Sequence, residues 1–179
     1  WPTLRPHRLA VGLYNADKDG VTRRHQRIEL DADGAETSIT ALVGLPRPDL
    51  ILINDDDLAY TKIRLDPQSQ AFAIKNLSTI EDPLARALVW GSTWDATRDA
   101  EIPPQNFIDL VLQHIGAETE STTVRTALGQ LALVVRNYVT PSRRATALAQ
   151  AGSAIWSLAE SAVAGSDIQF QLVKAFCGL

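Results

Sequence analysis

Up to about residue 66 the apolar positions of this chain alternate with polar ones, and beyond it they recur every three or four residues. A period of two belongs to strands and a period near 3.6 to helices, so a change of element type is expected near Asp66-Pro67. Leu9, Val11 and Leu13 interleave with Arg8, Ala10 and Gly12, which predicts a strand with one buried face. Asn15 to Gly20 (NADKDG) follows as turn chemistry. A second extended run, Thr22 to Leu30, ends at Asp31-Ala32-Asp33-Gly34, another hairpin signal, and Thr37, Ile39, Ala41 and Val43 predict a third strand. Pro46 and Pro48 break the chain before Leu50-Ile51-Leu52-Ile53, a short, wholly apolar run expected to form a strand buried on both faces. Thr61 to Leu65 gives a fifth. Five short strands separated by turns predict a small antiparallel β-sandwich over residues 1–66, with one strand missing ahead of Trp1.

The second half carries helix punctuation. Asp66-Pro67, Asp82-Pro83 and Thr140-Pro141 each set a side-chain capping acceptor before a proline, whose missing N–H has no partner at the first helical position in any case. Pro103-Pro104 marks another start, and Ser121 and Ser166 are candidate N-caps. Phe107, Leu110, Val111, His114 and Ile115 form one apolar stripe closed by Gly116; Val124, Leu128, Leu131, Val135 and Tyr138 form a second, and Ala145, Leu148, Ala149, Gly152, Trp156 and Ala159 a third. Starts near 66, 82, 103, 121, 141 and 166 pair up at about 40 residues, the period of stacked helical hairpins. The expected class is therefore α+β: a β-sandwich over 1–66, then an irregular α-solenoid of HEAT or armadillo type over 67–179. The helix from Asp82 to about Ala100, with Leu84, Leu88 and Gly91 on one side and Trp90 and Trp94 on another, is expected to be the central one.

Composition narrows the function. In 179 residues the apolar fraction is 45% with a net charge of -4, the profile of a folded globular protein. Charge is balanced in both halves, which argues against a nucleic-acid partner. No run approaches the roughly 18 apolar residues of a membrane span, so no membrane partner is expected. One cysteine, Cys177, rules out an internal disulfide and agrees with the cytoplasm; a buried thiol is expected there. A chain that opens on Trp1 and holds no methionine reads as an internal piece of something longer.

The candidate chemistry is thin. Asn15-x-Asp17-x-Asp19-Gly20 matches the opening of an EF-hand loop, but Gln26 stands where the bidentate Glu belongs and the flanks read as strands, so a hairpin turn is expected. Asn54-Asp55-Asp56-Asp57 could gather carboxylates for Mg²⁺ or Ca²⁺, but consecutive residues of an extended chain point opposite ways, and a polar turn is favoured. His7, His25 and His114 form no His-Glu-x-x-His arrangement, and His114, on an apolar stripe, reads as a core or groove histidine. Phosphate-loop, dinucleotide and nucleophile-elbow motifs are missing. Trp90 and Trp94 read as core rather than as a binding wall, Arg143-Arg144 as a solvated face, and Asp95 with Arg98 as a surface pair or a buried one. No catalytic, metal-binding or cofactor-binding residue is assigned.

Several ordered blocks carry a resemblance. Thr3 to Tyr14 (TLRPHRLAVGLY), Leu42-Val43-Gly44 followed by Pro48-Asp49-Leu50, Asn54 to Leu58 with Tyr60 and Arg64-Leu65-Asp66, and Asp82 to Leu88 with Trp90-Gly91, Trp94-Asp95 and Thr97 to Glu101 are similar to the C-terminal part of the bacterial aminopeptidase N family, actinobacterial type. The resemblance implies a parent zinc metallo-aminopeptidase that removes N-terminal residues from peptides. The family's zinc site and its Gly-x-Met-Glu-Asn motif are not in this chain, so no catalytic residue carries over, and no cofactor is expected here. It implies a linker sandwich followed by the start of a helical bowl, with the upstream catalytic domain of the same chain as partner and the peptide substrate reached through the parent. Asn54 to Pro67 is then expected to set how the bowl sits. The alternative reading is a free-standing helical-repeat adaptor that binds a peptide or protein. An array that ends at Leu179 without a polar cap is expected to leave an apolar face around Leu172, Val173 and Phe176 that promotes self-association.

Overall fold

The computed structural model describes residues 4–179, which form two compact units, one reaching to Ser92 and the other running from Thr93 to Leu179. The protein is α+β, with an antiparallel sheet early in the chain and six α-helices after it.

The first unit is organised on strand β1 (His7–Ala16), which lies between β2 (Thr22–Ala32) and β3 (Leu50–Ile53), antiparallel to both. The NADKDG turn forms as expected: the Asp17 N–H donates to Val21 O (2.8 Å) and the Gly20 N–H to Asp17 O (2.9 Å), with Gly20 at φ 81°. That φ lies in the left-handed region, which glycine enters without steric cost. Ala10, Val11, Leu13 and Tyr14 are buried together with Leu50 and Leu52.

Three expectations for the strands are corrected. Thr37 to Val43 is not a strand; Thr40–Leu42 is a single 3₁₀ turn ahead of Gly44 at φ 83°, and Val43 is 82% exposed. Three of its four alternating residues are strand-prone, but none of Thr37, Ile39, Ala41 and Val43 is buried, so no packed face holds a ladder. Thr61 to Leu65 is irregular, with only Ile63 reaching the core. The outer edge of β3, where it could have paired, is met instead by helix α1 (Pro67–Asn76): the Ile51 N–H donates to Ser69 Oγ at 2.9 Å. β3 is accordingly an edge strand with Leu50 and Leu52 buried and Ile53 exposed, not a central one buried on both faces.

All six expected helix starts are found. α1 opens on Asp66, whose carboxylate accepts the Gln68 and Ser69 N–H groups at 3.0 and 3.2 Å and pairs with Arg47. α2 (Pro83–Arg98) opens on Asp82, which accepts the Leu84 N–H at 2.9 Å. Its buried side runs through Ala85, Val89, Thr93, Ala96 and Thr97, and Trp90 is buried as well, while Leu84 and Gly91, on the other side named from sequence, are exposed.

In the second unit α3 (Pro104–His114) buries Phe107, Ile108, Leu110, Val111 and His114. α4 (Ser121–Leu133) ends in a π-turn at Val134–Tyr138, and α5 (Pro141–Ser161) and α6 (Asp167–Gly178) follow. Ser166 caps α6 by accepting the Gln169 N–H at 3.1 Å. α4 and α6 run parallel, since contacts join both starts and both ends: Ser121 Oγ donates to Asp167, and Arg136 Nη2 donates to Gly178 O at 2.6 Å.

Candidate functional site

The densest constellation of polar groups lies on one face of the sheet. Arg8, Ala10, Gly12 and Tyr14 of β1 stand opposite Asp31, Glu29, Arg27 and Arg24 of β2. Arg24 and Arg27 are three apart and would point to opposite faces of a regular strand. They share a face because the register slips between Leu13 and Tyr14, making His25 the extra residue of a β-bulge. A continuous ladder results. Arg8 reaches Asp31 and Glu29 (both 3.1 Å), Arg27 links Glu29 (2.6 Å) to Asp56 (2.5 Å), and Arg24 links Asp56 to Asp55 (both 2.7 Å).

The ladder ends in the core. Asp55 is buried, accepting from the Tyr14 hydroxyl at 2.7 Å on one oxygen and from Arg24 on the other. Gly12 makes room for it, because a Cβ there would stand 2.3 Å from Asp55 Oδ2 and 2.7 Å from Tyr14 Cε2. Asn54, Asp56 and Asp57 have left-handed backbone, φ 59°, 65° and 53°, a conformation that Asn and Asp tolerate better than other non-glycine residues. Asn54 closes the loop: its Oδ1 accepts the Ala59 N–H (2.9 Å) and its Nδ2 donates to Ala59 O (2.8 Å).

The electrostatics favour holding over reacting. Burial, and then the hydrogen bond to Asp55, push the Tyr14 hydroxyl well above its ordinary range, so it stays protonated. Arg24 first, then Arg27 against an opposing effect of burial, keep the Asp56 carboxyl below the usual carboxylate range. Arg27 and Arg8 do the same for Glu29. Carboxylates fixed on arginines are poor general bases and leave few oxygens for a cation. Among the described residues no three His, Cys, Asp or Glu side chains are grouped to hold a metal.

This chain resembles part of a protein known from Streptomyces lividans, Aminopeptidase N, with 43% identity over 175 residues, 98% of this chain and 20% of that protein. Residues 50–178 match the model of the ERAP1-like C-terminal domain. The chain belongs to the ERAP1-like C-terminal domain family. The resemblance drawn from the residue blocks, to a C-terminal part of the aminopeptidase N family, is thereby borne out. As a member of this C-terminal domain family, the chain spans a small share of the relative it matches. None of its helices, among the described residues, is long and apolar enough to cross a membrane.

The other sequence candidates of this C-terminal domain are dispersed. The EF-like residues are occupied within the hairpin: Arg23 bridges Asp17 (2.7 Å) and Asp19 (2.9 Å), and Asn15 Oδ1 accepts the Asp49 N–H at 3.0 Å. The three aspartates, read from sequence as a polar turn, form one, but two are committed to β2 arginines, which sequence spacing did not show. His7 lies on β1, His25 is exposed at the bulge, and His114 is buried in α3. Trp90 is buried, and Trp94 packs against Phe107 and Tyr138 at centroid distances of 5.6 and 6.2 Å, so both belong to cores. Asp95 and Arg98 make a surface pair at 3.1 Å. Arg143 is exposed, but Arg144 is half-buried with its Nη2 donating to Val139 O at 3.4 Å, so the pair is not wholly solvated.

Cys177 is exposed, against the expected buried thiol; it lies five residues past the buried Leu172, about 140° around the helix. That burial also removes Leu172 from the expected apolar face, leaving Val173 and Phe176 exposed; Phe170 is exposed as well, and Trp156 meets Phe176 at a tilt, with ring centroids 5.0 Å apart.

Proposed function

We propose that this chain is the non-catalytic C-terminal region of a zinc-dependent aminopeptidase that removes N-terminal residues from peptides. The observation that carries it is the 43% identity maintained across nearly the whole chain. In this reading the partner is a catalytic domain elsewhere in the same polypeptide, zinc and substrate are bound there, and the protein is cytoplasmic. Among the described residues no group of His, Cys, Asp or Glu fits a zinc site, so no catalytic step is routed through them. The division into a linker over 1–66, part of a β-sandwich, and a superhelical region from 67 belongs to the same proposal. The change of element type at Asp66-Pro67 supports it, as does the parallel stacking of α4 on α6, which is how alternate helices of a solenoid run. The helical region would then help enclose the peptide cavity.

The test compares the isolated chain with the full-length protein. The chain alone is expected to retain no stoichiometric zinc and to leave an aminoacyl anilide intact, while the full-length protein binds zinc and turns it over. Stoichiometric zinc with turnover by the chain alone would overturn the reading. A coding sequence without an upstream His-Glu-x-x-His would favour the free-standing adaptor.

A further inference from the structure

Asp55 and Asp56 are adjacent and share Arg24, yet their surroundings differ. The Asp55 side chain is 1% exposed beneath Gly12, whereas that of Asp56 is 30% exposed on two arginines at the surface. Each of those arginines has a second carboxylate, Asp55 for Arg24 and Glu29 for Arg27. Losing Asp56 therefore leaves neither cation unpaired, and the bridge can open without stranding a charge. Asp56 and Asp57 both sit in the left-handed region, a conformation that the surrounding contacts must maintain. Beyond the loop, residues 58–66 form neither helix nor strand, and Leu58 and Tyr60 are exposed.

We propose that the Asn54–Ala59 loop is a charge-latched hinge: Asp55 is its fixed pin, and the Arg24–Asp56–Arg27 bridge is a releasable catch whose opening frees residues 56–62 while β1 and β2 stay paired. The groups that face the catch are Arg24, Arg27 and Glu29 from β2, Tyr14 from β1, Asp55 and Asp57 from the loop itself, and more distantly Asp82 at the head of α2, which acts on Tyr14. Because the folded Asp56 titrates below its ordinary value, its contribution is complete above that value and is lost only as the pH falls through the lowered one. At neutral pH the catch therefore responds to ionic strength, or to a charged partner that competes for Arg27, rather than to protons.

Amide hydrogen exchange on the full chain tests this. Asp56→Asn keeps a residue that tolerates left-handed backbone and removes only the charge. It is expected to speed exchange across residues 56–62 about fivefold at neutral pH and leave the β1 amides of residues 9–14 unchanged. Arg27→Gln should do the same, and the double variant no more than either. Unchanged exchange in Asp56→Asn, or an equal rise across β1 and β2, would overturn the proposal. Should the variants fold poorly, raising NaCl from about 0.05 to about 1 M on the unaltered protein should give the same selective rise, and a flat response would overturn it equally.

Discussion

The two units keep their shapes by different means. In the first, a three-stranded sheet with one modest apolar side is laced on the other by arginines and carboxylates, down to a buried aspartate. In the second, α3 to α6 interlock aliphatic and aromatic side chains, among them Phe107, Ile108, Leu131, Ile155 and Leu172, all nearly inaccessible. The contrast follows from size. A sheet this small has too little apolar surface to fix its loops, so directional charge pairs place them, whereas stacked helices bury enough side chain that packing alone settles their positions.

Perturbations should separate the two, beginning with the largest. Phe107→Ala, which empties the middle of α3, is expected to destabilise the second unit by about 4 kcal/mol in chemical denaturation. Asp55→Ala, which strands the Tyr14 hydroxyl and one bond of Arg24, should destabilise the first unit by about 3 kcal/mol. Tyr14→Phe added to it should cost less than Tyr14→Phe alone, because the two act as one pair. Equal and additive effects of the two changes would erase the distinction between units.

A smaller effect, about 1 kcal/mol, is expected from Asp66→Ala, which removes the cap of α1 and its bond to Arg47. Burial acts to raise the pKa of Asp66, but the Ser69 hydroxyl and N–H, Arg47 and the Gln68 N–H outweigh it and hold the carboxyl below its ordinary 3.8. The stability it contributes is thus intact above that value and lost as the pH falls through the lower folded one. An acid titration of Asp66→Ala should be flatter there than that of the unaltered protein. Least of all, Arg8→Ala, at the exposed outer end of the ladder, should leave the melting temperature unchanged.

The helices were legible because their signals are local. Asp66-Pro67, Asp82-Pro83 and Ser166 mark their own positions, and a stripe such as Phe107 to Ile115 needs only one helix to declare its inner face. Strands need partners that a single segment does not reveal. Thr61 to Leu65 alternates well enough, yet α1 had already taken the edge of β3. The ladder was illegible for a related reason: that Arg24 and Arg27 both meet Asp56 depends on a register slip opposite Leu13 and Tyr14, a property of the strand pair rather than of either strand.

That slip implies an asymmetry in how this region can vary. Exchanging Arg27 for another long cation, or Glu29 for Asp, alters one rung. Deleting His25, the exposed extra residue of the bulge, would leave Arg24 and Arg27 two apart on one face of a regular strand, whereas losing Gln26 as well would make them neighbours and turn Arg24 away from the aspartates it serves. In a set of related sequences aligned over these strands, position 25 should vary freely or be missing altogether, while the loss of two residues between the turn glycine and Arg27 should not occur.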